Sequence, residues 1–189
     1  MLSGFKERKV GSFYALIFCY EAIEIGYAVW LSEFLQKARG LSLESGIMLL
    51  SAFFFCLMAG RLIGSFIVER MGYLRILLIA AAGAFICLSL GTFSSGNFYL
   101  LLPVTGIFLS IIFPTTTAVA SSRIGASGYI QMGIFFTFAG LGGMVGSWAI
   151  GIFSDLSNIV LGFGSLVVFS LVMVVLILFQ MIRPMQPAG

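Results

Sequence analysis

The chain has 189 residues, 60% of them hydrophobic and only 9% charged, with a net charge of +3. A soluble domain carries about a quarter charged residues, so no aqueous fold could hide this much apolar surface and the solvent must be lipid. No basic patch suits nucleic acid, and the lack of histidine, with Cys19, Cys56 and Cys87 in no CxxC spacing, argues against a metal site, a disulfide framework and any cofactor.

A bilayer core of about 30 Å takes roughly 20 helical residues. Six continuously apolar runs reach that length, at about 11–31, 46–68, 74–93, 98–120, 129–152 and 159–182. They lack the polar–apolar alternation of barrel strands. The expected fold is all-α: one polytopic domain of six transmembrane helices, with 1–10 as a basic lead and 183–189 as a tail. The first run is too long for a signal peptide and shows no small-residue cleavage site, so it is expected to stay in the mature protein.

The first run carries Glu21 and Glu24 near its middle, three residues apart and on one helix face. A charge at that depth is costly, and two carboxylates side by side favour holding a proton between them. The pair is a candidate proton carrier or solute-binding site. The plainer reading is a protonated strut, hydrogen-bonded to a neighbouring helix. Residues 32–44 read as the longest connection, in which Ser42 with Ser45, or Leu43-Glu44-Ser45, could start the next helix.

The second run holds Gly60, Arg61 and Gly64 and ends in Glu69-Arg70-Met71-Gly72. Arg61 lies about nine residues from the following turn, so it could snorkel out or pair with a carboxylate. Gly72 suits a tight turn. Ser94-Ser95-Gly96-Asn97 reads as a short turn. The fourth run contains Phe113-Pro114-Thr115-Thr116-Thr117. Pro114 removes a helix hydrogen bond; the threonines either satisfy freed carbonyls or line a cavity where the helix breaks. A loop is expected at 121–128. The fifth run holds Gly140, Gly142, Gly143 and Gly146, small residues that let helices approach closely or slide on one another. A turn follows at 154–158.

Seven of the ten basic residues, Lys6, Arg8, Lys9, Arg70, Arg75, Arg123 and Arg183, fall on one side of this arrangement; Lys37 and Arg39 fall on the other. The bias places both termini in the cytoplasm of a cell that carries this protein in its plasma membrane. Trp30 and Tyr99 then lie near the outer interface.

These residues together resemble the C-terminal half of a major facilitator superfamily transporter. Gly60, Arg61, Gly64, Arg70 and Gly72 fit the loop pattern G-R-x-x-G-x-x-x-x-D-R-x-G, with Glu69 where the family has Asp. Tyr20, Glu24, Gly26 and Trp30 are similar to Y-V-G-x-E-x-G-x-x-x-W in the seventh helix of fucose/glucose-type sugar permeases, with Glu21 and Ala22 as departures. Phe113-Pro114-Thr115 looks like the tenth helix of that branch. Gly140 to Gly143 with Trp148 and Asp155 looks like the eleventh.

The resemblance implies two three-helix repeats forming half of a secondary transporter. Its solute would be small and polar, such as a sugar, with protons as the coupling ion. It implies roles for Glu24, Pro114 and Thr115 to Thr117 at the solute or proton site, which Glu21 joins as the neighbouring carboxylate and not through the resemblance, and for Gly60 to Gly72 as a hinge and gate. In the family the acid at position 69 contacts a helix across the half interface. A second six-helix half is therefore expected as partner, in the same polypeptide, another chain or a second copy. The rival reading is a non-transporting membrane subunit that regulates a full porter. An intramembrane protease is disfavoured by the lack of histidine and the single Asp.

Overall fold

The chain was analysed as a computed structural model that describes residues 2–123 and 128–182. Six helices cross-pack: α1 (Leu2–Arg39), α2 (Leu43–Met71), α3 (Tyr73–Phe93), α4 (Leu101–Arg123), α5 (Gly128–Leu156) and α6 (Ile159–Ile182). Each contains a stretch long and apolar enough to cross a membrane, and there is no strand among the described residues.

Several boundaries differ from the hydropathy reading. α1 is helical from Leu2, through the expected lead, and runs on to Arg39 through most of the expected 32–44 connection. The extension has local reasons. Lys37 pairs with Glu33 one turn back at 2.7 Å, the Gln36 side chain donates to the Ser32 carbonyl, and Phe34 and Leu35 are fully buried. Gly40, at φ +68°, ends the helix, with its N–H returning to the Gln36 carbonyl. Ser42 caps α2 as expected, its hydroxyl accepting the Ser45 N–H at 3.2 Å. A single residue, Gly72 at φ +79°, separates α2 from α3.

After α3, a short 3-10 turn over Gly96–Leu100 leads into α4. α4 continues helically to Arg123, so only 124–127 of the expected 121–128 loop is left, outside the described residues. α5 likewise outlasts its expected end, and the Asn158 side chain caps α6 by accepting the Leu161 N–H at 3.0 Å. The tail at 183–189 also lies outside the described residues.

The packing has an internal two-fold logic. α1 lies along α5, and α2 along α4; α3 packs on α4, and α6 on α1; α3 and α6 pack on each other. Exchanging the first three helices for the last three converts α1–α5 into α2–α4 and α3–α4 into α1–α6, and returns α3–α6 to itself. The chain is two interlocked three-helix repeats, each lending its middle helix to the first helix of the other.

Lipid tails are as apolar as leucine, so helices in a bilayer gain little by hiding apolar area and must gain by close packing. Glycine supplies the approach in both interlocks. A Cβ on Gly142 of α5 would press on the Phe18 backbone of α1, with its carbonyl carbon at 2.8 Å; one on Gly60 of α2 would meet the Ile107 carbonyl oxygen of α4 at 2.9 Å. Gly146 presses on Ala22 in the first interlock, and Gly64 on Ile111 in the second. Gly140 differs from its expected packing role. It lies on the exposed side of α5, and a Cβ there would meet nothing within 4 Å. Two residues along a helix is a rotation of about 200°, which sets Gly140 and Gly142 on opposite sides.

α1 is the central helix. Leu16, Tyr20, Ile23, Tyr27, Leu31 and Phe34 recur at helical spacing and are fully buried. Tyr27 stacks on Phe53 of α2 with ring centroids 4.6 Å apart, and Phe34 on Phe163 of α6 at 4.4 Å. The polar tips of these rings are satisfied across the repeats: the Tyr27 hydroxyl donates to Thr105 of α4 at 3.2 Å. The Trp30 indole donates to Ser147 of α5 at 3.0 Å. Arg39 closes one end of the bundle. Its guanidinium donates to the Gly91 and Thr92 carbonyls at the C-terminus of α3, at 3.1 and 2.9 Å, where a cation suits the helix dipole.

Candidate functional site

Glu24 lies close to the middle of the span that runs from Gly11 to Arg39. One turn earlier on the same helix, the Tyr20 hydroxyl donates a hydrogen bond to Glu24 Oε2. The third member comes from α2. Arg61 Nη2 stands 3.8 Å from Glu24 Oε2 and donates to the Tyr20 hydroxyl oxygen at 3.4 Å. Tyr20 therefore uses both functions of its hydroxyl, donating to the carboxylate and accepting from the guanidinium.

Of the two fates open to Arg61 in the sequence, pairing is the one adopted. Its exposure matters. The Glu24 side chain is 19% exposed, whereas that of Arg61 is 46% exposed. A charge facing hydrocarbon near mid-bilayer costs about 2.5–3.5 kcal/mol or more. The face of α1 and α2 that carries this triad is therefore suited to water or to another protein surface, not to lipid tails.

Glu21 is half-buried one turn from Glu24 and within electrostatic reach of both Glu24 and Arg61. The two carboxylates and the guanidinium form one charge cluster. α4 reaches it through an aromatic ring rather than through its hydroxyls: the Phe113 centroid is 5.7 Å from that of Tyr20.

The residues after Phe113 do not break the helix as one reading of the sequence expects. α4 stays helical through Pro114, so the helix is not broken. Pro114 is exposed, Thr115 and Thr116 are buried, and Thr117 is half-buried. The Thr116 and Thr117 hydroxyl oxygens are buried with no hydrogen-bond partner among the described residues. They do not repair the helix backbone there.

The glycine-rich stretch of α2 divides in two. Gly60 and Gly64 are buried in the contact with α4 and Gly72 forms the turn; the side chains of Glu69 and Arg70 lie outside the described residues. Among the described residues no three His, Cys, Asp or Glu side chains gather as a metal site. Tyr20 is the member of the triad that sequence reasoning placed in a family pattern without a role. Its signal was the i, i+4 spacing to Glu24, which puts both on one face of α1.

In comparison with known proteins, the sequence model described as Major Facilitator Superfamily matches residues 13–188. No curated protein matches the chain. Among solved structures, a peptide transporter POT in complex with sulfate is similar at 14% identity with a TM-score of 0.81, over 90% of this chain and 37% of that one. A mutant of POT is similar at 14% identity with a TM-score of 0.84, over 96% of this chain and 40% of that one. The same mutant in complex with alafosfalin gives 14% identity and 0.82, over 92% and 38%. At that identity the likeness is one of fold. The chain spans about two fifths of the length of these transporters.

Proposed function

The chain belongs to the Major Facilitator Superfamily, and we propose that it forms one six-helix half of a secondary transporter that moves a small polar solute together with protons. The observation that carries this reading is the Tyr20–Glu24–Arg61 triad, an ionisable cluster held at mid-span on a face unsuited to lipid. An ionisable group at that depth is retained for a purpose, since it costs stability.

In this reading Glu24 takes up and releases the proton, with Glu21 as the second carboxylate of the site. Phe113, Pro114 and Thr115 to Thr117 shape the wall of the cavity from α4, and the stretch from Gly60 to Gly72 couples movement of α2 to the gate. A second six-helix half closes the cavity over Glu24, which fits a chain spanning two fifths of the similar transporters. The basic residues support cytoplasmic termini, in a protein of the plasma membrane. The sugar assignment rests on the sequence resemblance, Tyr20, Glu24, Gly26 and Trp30 first and Phe113 to Thr115 after them, because a fold shared at 14% identity says nothing about the solute.

The test is uptake into liposomes carrying the purified protein assembled with its second half and an internal pH dye, with glucose and gluconate as probes. Glu24→Gln is expected to abolish accumulation driven by a proton gradient while solute exchange at equal concentrations persists. Undiminished gradient-driven accumulation in Glu24→Gln would remove Glu24 from the coupling role.

A further inference from the structure

Resting on that proton-coupled reading, the geometry points to a solute that carries one negative charge, a carboxylate bound by Arg61, moved in electroneutral step with one proton. The first observation is a surplus of donors. A guanidinium has five N–H groups. Among the described residues only Nη2 of Arg61 is engaged, at 3.4 Å from the Tyr20 hydroxyl and 3.8 Å from Glu24. That is a loose, single-point contact, whereas arginine holds a carboxylate best through two parallel hydrogen bonds. With the side chain 46% exposed, the unused donors are open to a solute.

The second observation is charge balance. α6 contains no charged residue, and Arg123, Asp155 and Arg75 sit at the ends of α4, α5 and α3. Among the described residues, the ionisable groups facing Glu24 are thus Tyr20 and Glu21 on its own helix and Arg61 on α2. Two like charges side by side at this depth are costly, and a single proton shared by the pair removes one of them. Arg61 and the remaining carboxylate then sum to zero.

Protonating Glu24 leaves Arg61 as an unbalanced cation within the membrane, at a cost of several kcal/mol. A neutral solute leaves that charge standing. A carboxylate cancels it. Two states are therefore neutral: the empty site with Glu24 ionised, and the site holding both the extra proton and the anion. In the loaded state the Glu24 carboxylic acid donates to Tyr20. A sugar acid joins this requirement to the sugar-permease-like pattern of α1.

The same liposomes test it, with the membrane potential set by potassium and valinomycin. Gluconate is expected to enter with protons at a rate that does not change when the potential is imposed, and glucose is not. Arg61→Ala should raise the KM for gluconate by about tenfold or more, and Arg61→Lys by less, since it keeps the charge but loses the fork. Two results overturn the inference: uptake of glucose rather than gluconate, or of neither; and gluconate uptake that is accelerated by the potential or indifferent to Arg61→Ala. Glu24-dependent proton uptake with glucose, unaffected at Arg61, would sink the anion while leaving the proton-coupled reading in place.

Discussion

The two repeats share their packing and differ in their chemistry. In both, the middle helix drives a GxxxG face onto the first helix of the other repeat, Gly142 and Gly146 on α1 and Gly60 and Gly64 on α4. Yet only the first repeat carries charge in mid-membrane. Tyr20, Glu21, Glu24 and Arg61 cluster between α1 and α2, while the matching region of α4 and α5 offers a proline, threonines and no ionisable group. The duplicated feature is the one that helix association in lipid demands. The feature present once is the one that costs stability, and so it is the one to read as function.

The comparison breaks first at the interlocks if it is wrong. Gly142→Leu and Gly60→Leu would each thrust a side chain against the backbone of the opposing helix, so both are expected to destabilise the protein by about 3 kcal/mol. Thermal unfolding in detergent checks this, and a large loss at one position alone would mean that the interlocks are not equivalent. Next come the hydrogen bonds that cross between repeats. Tyr27→Phe removes the bond to Thr105 and should cost about 1 kcal/mol, with uptake unchanged, because the Tyr27 hydroxyl bonds to Thr105 rather than to the charged triad.

Thr116→Val sharpens the contrast from the other side. It replaces a buried, unpartnered hydroxyl with a methyl group of the same shape, so stability should hold or rise by up to about 1 kcal/mol. A fall in solute affinity in that variant would promote the threonines from wall to binding site. The smallest effect is expected at Gly140→Ala, where open space and helix propensity predict a gain of about 0.5–1 kcal/mol.

The six spans were legible because lipid leaves only one length scale and one kind of residue to look for, and the glycines because small residues at helical spacing have few other uses in a bilayer. Gly140 was misread because spacing shows which residues share a face without showing what lies opposite it. α1 outran its apolar run because Glu33–Lys37 and Gln36–Ser32 contacts hold a helix that hydropathy does not register. Glu24 stood out on cost alone, but its partners required tertiary geometry. Arg61 is 37 positions away in sequence and had two chemically sound destinations. The orphan hydroxyls of Thr116 and Thr117 were beyond reach for a related reason: a sequence displays donors and acceptors without saying which of them find each other.

The interlocked order of the helices bears on how the protein is made. α2 and α3 are joined by one residue, yet α2 finds its main partner in α4, and α1 finds its own in α5. As the chain emerges from the ribosome, the first three helices enter the bilayer with the Phe18–Ala22 surface and the Gly60–Gly64 groove still bare. Neither is covered until α4 and α5 have been threaded in beside them. Charges on Glu24 and Arg61 must be tolerated through that interval, with only groups of the first three helices, Tyr20 among them, to shield them. A nascent chain stalled after α3 would present these features together, as a target for the membrane proteases and chaperones that recognise unpaired helices.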